Sequence, residues 1–154
     1  MTRITIALLL MLVSCSDAAH ELALSLIPVE SAIHTGSAPH FHLTLTNVSD
    51  HVMRVLDAER RVDLQHTYYE LIVTKDGKPV HVPTAISDPG PVSDKDWVEI
   101  PPGGTKVFLL SDFPERFETL PPGTYEAYVD FWRDPYQSHD TAYKSPMAKF
   151  TVTK

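Results

Sequence analysis

The sequence predicts an all-β protein, an antiparallel β-sandwich of seven to eight short strands, and three observations carry that expectation. Beyond residue 21 the apolar residues recur with a period of two, which places alternate side chains on opposite faces of a sheet. Clusters of Gly, Pro, Asn, Asp and Ser separate these periodic segments at short intervals, as hairpins and crossovers require. Prolines number 13 in 154 residues, a density that long helices do not tolerate.

Taken in order, Glu21 to Val29 alternates with Leu22, Leu24 and Leu26 on one face, and Pro28 near its end marks an edge. From His40 to Asn47, Phe41, Leu43 and Leu45 point one way while His40, His42, Thr44 and Thr46 point the other, so one face is core and one is wet. Asn47-Val48-Ser49-Asp50 supplies turn residues, and His51 to Leu56 is expected to return as the hairpin partner of that strand. Residues 57–66 are charged and irregular, with one helical turn capped by Asp57. Tyr68 to Thr74 sets Tyr69, Leu71 and Val73 opposite Tyr68, Glu70 and Ile72. Lys75-Asp76-Gly77-Lys78 then forms a tight turn, because Gly77 adopts positive φ at little cost.

Residues 83–96 hold three prolines and read as a loop. Trp97 to Ile100, the turn Pro101-Pro102-Gly103-Gly104 and Thr105 to Leu110 follow. Ser111 to Glu115 is expected to form a helical turn that crosses between sheets. Two more strands complete the body: one turns Tyr125, Ala127, Val129 and Phe131 inward, and the last, Pro146 to Lys154, turns Ala148, Phe150 and Val152 inward.

The amino terminus has a different character. Arg3 precedes an apolar run from Ile4 to Val13, the layout of a secretory signal and far short of the ~20 residues that span a bilayer. Leu12-Val13-Ser14-Cys15 resembles the lipobox of bacterial lipoproteins, a resemblance that implies cleavage before Cys15 and acylation of its new terminus. The chain then divides into a signal peptide (1–14), a tether (15–20) and one domain (21–154). A conventional cut after Ala18 or Ala19 would instead discard Cys15. Ser16, where an aspartate would direct retention, resembles the outer-membrane class, so the expected location is the cell envelope, anchored by lipid on the periplasmic face. Cys15 is the sole cysteine, so the domain holds together without disulfides.

Leu120-x-Pro122-Gly123-x-Tyr125 resembles the tyrosine corner of immunoglobulin-like (Ig-like) sandwiches, in which the ring is buried and the hydroxyl bonds back to the chain. With the segment Leu43 to His51, the turn Lys75 to Pro79 and Ile100 to Gly104, it resembles bacterial Ig-like modules. It is also similar to the noncatalytic amino-terminal region of deuterolysin-type zinc metalloproteases, over about residues 40–130. The likeness implies an Ig-like sandwich. The proteases' zinc-binding helix has no counterpart in this sequence, so the role implied is that of contacting, restraining or chaperoning a partner.

Composition and motifs narrow the chemistry. Twenty acidic against 13 basic residues, a net charge of −7, argue against nucleic acid as a partner. His20-Glu21-Leu22-Ala23-Leu24 begins like a zinc-peptidase motif but lacks the second histidine, and no nucleophile elbow or phosphate loop occurs. His139-Asp140 lacks a defined nucleophile. The chain is therefore expected not to be an enzyme and to need no cofactor.

Histidine is the unusual count, at eight. The strand period puts His40 and His42 on one outward face, where two imidazoles can share a Cu(II), Ni(II) or Zn(II) ion, with His51, Met53 or His34 as candidates to complete the set. The alternative is two solvated strand residues beside Thr44 and Thr46. Tyr128 and Trp132 are expected to be partly exposed, as in a contact surface. Asn47-Val48-Ser49 fits a glycosylation pattern but is read as a turn. The expected function is a lipid-anchored envelope protein whose noncatalytic Ig-like domain binds or scaffolds a protein. The alternatives are a periplasmic Cu/Zn module at His40 and His42, and a protease inhibitor or chaperone-like domain.

Overall fold

The computed structural model describes residues 21–80, 91–111, 120–133 and 142–154. The signal and tether with Cys15, the helical turn after Ser111, most of the loop after Val80, and His139-Asp140 lie outside the described residues.

Eleven strands occur among the described residues, several of them only two or three residues long. The first sheet has the order β1-β3-β8: β1 (Leu22–Pro28), β3 (His40–Asn47) and β8 (Thr105–Ser111), all antiparallel. The second has the order β2-β11-β9-β5-β6: β2 (Ala32–His34), β11 (Ala148–Thr153), β9 (Gly123–Phe131), β5 (Tyr69–Lys75) and β6 (Lys78–Pro79). β10 (Tyr143–Lys144) also pairs with β9. Only β2 and β11 run parallel. A separate ribbon joins β4 (Met53–Leu56) to β7 (Trp97–Ile100).

The two larger sheets meet through the faces that the period of two made apolar. Phe41 of β3 touches Phe150 of β11 edge-on at 5.7 Å, and Tyr69 of β5 touches Phe108 of β8 at the same separation. Tyr69 also stacks on Phe131, and Tyr125 on Phe150. Large side chains of this kind each gain about 1.5–3 kcal/mol when fully buried, so this aromatic layer dominates the cohesion of the core.

Local chemistry explains the turns. Asp76 and Gly77 both have positive φ, 52° and 73°, which gives the two-residue turn whose twist suits the β5–β6 hairpin. Gly103 has φ 70° behind Pro102, and Gly104 donates to the Pro101 carbonyl at 2.8 Å, a type II turn. The Asp57 carboxylate accepts from the amides of Glu59 and Arg60, as expected of a cap, and the chain continues through a 3₁₀ turn into the one-turn helix Gln65–Tyr68. Arg61 pins this segment by pairing with Asp63 at 2.9 Å and Asp96 at 3.2 Å. Hydrogen bonds from the guanidinium hold the Asp63 carboxyl below its ordinary range. Bonds from Ser93, then from Arg61, do the same for Asp96.

One expectation is corrected. The segment after His51 does not return to pair with β3. β4 pairs with β7, because both edges of β3 are taken by β1 and β8. Asn47 manages the diversion. Its buried amide nitrogen donates to the carbonyls of His51 (2.7 Å) and Ile100 (2.8 Å), and its oxygen accepts from the amide and hydroxyl of Ser49. Its backbone also exchanges bonds with Gly103 and Gly104, so one residue ties the end of β3 to the ribbon and to the turn before β8. With both amide hydrogens spent and the side chain buried, Asn47 presents no nitrogen to a glycosylating enzyme.

Candidate interaction surface

The outward face of the first sheet is set by register. Ala23, Thr46 and Thr105 form one row across β1, β3 and β8. Ser25, Thr44 and Val107 form the next, then Ile27, His42 and Leu109, and His40 stands beside Ser111 at the end. Val29 donates its amide to the His40 carbonyl at 2.8 Å and so extends the β1 side by one position. No Lys, Arg, Asp or Glu stands in any of these rows. Ile27, Val29, Val107 and Leu109 are 57%, 47%, 46% and 41% exposed, and they surround the two histidines. Scattered exposed apolar residues are ordinary, whereas a contiguous group on one sheet face marks a contact surface.

His40 and His42 share this face as the strand period requires, and both are exposed. The residues expected to complete a metal set are not with them. Met53 is buried in the core on β4, which lies in the ribbon rather than beside β3. His51 sits beyond the opposite end of β3, 3.3 Å from Asp50 and 3.6 Å from Glu21. His34 lies in the second sheet against the Lys154 carbonyl. Among the described residues no three His, Cys, Asp or Glu side chains gather as metal ligands.

The edge beside this face carries one carboxylate. Glu59 reaches over β8 and accepts the Leu109 amide at 3.1 Å, occupying a donor that an added strand would need. That apolar cluster escaped the sequence reading because Ile27 comes from β1 and Val107 and Leu109 from β8, and only the register brings them alongside His42.

The outward face of the second sheet is different. Glu126 pairs with Lys149 at 3.2 Å, and Asp130 lies 3.8 Å from Lys144, whose ammonium sits over the Tyr128 ring. Burial pushes the Asp130 carboxyl above its ordinary range, and Lys144 offsets this only in part. Tyr128 and Trp132 are half-buried here. A shallow recess of ≈ 470 Å³ between β1 and β10, lined by Leu22, Leu24, Val48 and Tyr143 among others, carries no cluster of polar groups. No helix among the described residues is long and apolar enough to cross a membrane.

The architecture is thus that of an all-β, predominantly antiparallel protein. Neither a family model nor a curated protein matches the sequence. Among solved structures, a β-glucosidase from Listeria innocua in complex with glucose is similar over 87% of this chain, with 14% identity and a TM-score of 0.50. A β-glucosidase from Erythrobacter marinus is similar over 86%, with 12% identity and a TM-score of 0.51. This chain spans only 16% and 15% of those enzymes, and at such identity the likeness concerns the fold alone.

Proposed function

We propose that this chain is a lipid-anchored protein of the bacterial cell envelope, tethered through Cys15, whose Ig-like sandwich binds or scaffolds a protein partner without catalysis. The observation that carries the binding role is the outward face of β1, β3 and β8, whose rows hold no charged residue and four exposed aliphatic side chains. The Ig-like reading is supported by the strand order and by Tyr125, whose buried ring sends its hydroxyl back to the Pro121 carbonyl at 2.6 Å. The anchor reading rests on Leu12-Val13-Ser14-Cys15. Two acyl chains or more give lasting attachment, since each buried methylene contributes about 0.8 kcal/mol.

Intact-mass measurement on the processed chain tests the anchor. Acyl mass on Cys15 is expected, and an unmodified chain starting after Ala18 or Ala19 overturns it. A photocrosslinker at Val107 tests the face: it is expected to trap a protein in the envelope, while the same group at Lys149 traps none. Equal trapping from both positions removes the argument for this surface. A metal-binding reading gains one specific observation, the two exposed imidazoles of His40 and His42 on that face.

A further inference from the structure

The chain enters the domain at one pole of the sandwich. The Glu21 carbonyl accepts from the Val48 amide at 2.9 Å, so the loop that carries Val48 and Val52 starts beside the first residue of the domain. These two valines are 56% and 51% exposed. The exposed turn Pro101-Pro102-Gly103 joins the same pole, because the Gly103 amide donates to the Asn47 carbonyl. The apolar recess between β1 and β10 continues this surface, since Leu22, Leu24 and Val48 line it. The charges nearby face one another. Arg133 holds the Glu21 carboxylate at 2.6 Å, His51 lies 3.6 Å from the same group, and Asp50 lies 3.3 Å from His51. Lys144, also on the recess, faces Asp130 at 3.8 Å.

Two exposed valines are ordinary on a protein surface. Their place relative to the anchor is not. Only the short segment from Cys15 to Glu21 separates them from it, and even fully extended that segment reaches ~20 Å. The strands then lead away from this pole. β3 runs ~24 Å from Asn47 back to His40. β5 and β9 pair from Tyr69 and Phe131, near Arg133, toward the Asp76-Gly77 turn, which therefore lies at the far pole. A bilayer that holds acyl chains on Cys15 is within reach of the Val48–Val52 loop, while the far pole meets it only if the domain lies on its side. So short a tether also keeps the loop at a high effective concentration against the lipid, and an apolar contact too weak to recruit a free domain then suffices to orient a tethered one.

We propose that this pole, with Val48 and Val52 at its tip, rests on the bilayer that holds the Cys15 anchor, a second and noncovalent membrane contact that stands the sandwich upright. The inference rests on the anchor reading and adds which end of the domain meets the lipid. Arg133 offsets the charge of Glu21 at the contact, and the polar headgroup layer takes the exposed Asp50 and His51. With the strands rising from the membrane, the outward face of β1, β3 and β8 stays open to a partner arriving from the side.

The test uses the processed chain, purified from a bacterial host and placed in vesicles of phosphatidylethanolamine and phosphatidylglycerol. A fluorescent amino acid is put at position 48, 52 or 76, and its quenching by a nitroxide on the lipid headgroup is read. Quenching about threefold stronger at positions 48 and 52 than at position 76 is expected. Val52→Asp is expected to remove about half of the quenching at position 48, while acyl mass, flotation with the vesicles and circular dichroism stay unchanged. In a chain that carries acyl mass, equal quenching at the three positions, or the strongest at position 76, overturns the pole contact and leaves the anchor standing. A chain without acyl mass overturns the anchor reading and the inference with it. Quenching at position 48 that Val52→Asp leaves intact overturns the role of the valines. Quenching that vanishes when each vesicle carries a single chain assigns the pole to a second copy and overturns the lipid contact.

Discussion

The two larger sheets share one core but turn very different backs to the solvent. On the second sheet, Glu126, Lys149, Asp130 and Lys144 form cross-strand ion pairs, the usual dress of a solvated sheet. On the first, threonines, serines, two histidines and four exposed aliphatic residues stand where charges would be expected. Exposed charge discourages association, and the rows of these three strands carry none, with Glu59 reaching only the β8 edge. Surface polarity in this protein is thus distributed by sheet, not by depth alone.

Substitutions can break or sharpen that contrast. The largest effect is expected where the two sheets meet: Phe41→Ala empties the contact with Phe150 and should cost about 3–5 kcal/mol in denaturant unfolding. If any outward substitution on either sheet cost as much, the division into core and outer faces would be wrong. Next comes Asn47→Ala, which strands the buried carbonyl of Ile100 and unties β3 from the ribbon. About 2–3 kcal/mol of destabilisation is expected in the same assay.

A smaller effect separates the two backs by pH. The Asp130 carboxyl is raised by burial, so folding favours its protonated form. Its contribution is best below the unfolded carboxylate range and is lost as pH rises through the raised value. Asp130→Asn should therefore raise the melting temperature at pH 7 and leave it unchanged at pH 3. A rise of equal size at both would show that the carboxyl's charge is not what burdens the second sheet. The smallest effect is expected from Leu109→Glu and Lys149→Ala, each within about 0.5–1 kcal/mol of the parent in stability. Only Leu109→Glu should lower protein capture by the photocrosslinker at Val107. Equal behaviour of the pair would erase the contrast between the faces.

Much of this was legible beforehand, residue by residue. The inward sets Phe41-Leu43-Leu45, Tyr125-Ala127-Val129-Phe131 and Ala148-Phe150-Val152 are buried as their alternation demanded. The Asp76-Gly77 turn and the Tyr125 back-bond are local chemistry and fall where the residues place them. The partner of the strand after His51 was not legible, because periodicity tells which face a residue occupies and is silent on which strand lies alongside. For the same reason Met53 and His51, near His42 in the sequence, stand elsewhere, while Ile27 and Leu109, distant in the sequence, are its neighbours.

By itself the amino-acid order determined that these residues form strands, which side of each strand is apolar, where the chain turns, and that His40 and His42 project together. Those properties depend on side-chain size, backbone freedom and a two-residue repeat, all of them short-range. Tertiary structure alone decided that β3 is central, that Asn47 sends the next strand to a separate ribbon, and that aliphatic side chains from the two flanking strands frame the histidine pair. Strand pairing is a competition among distant segments for the same backbone donors and acceptors, and it is settled only when the whole core closes.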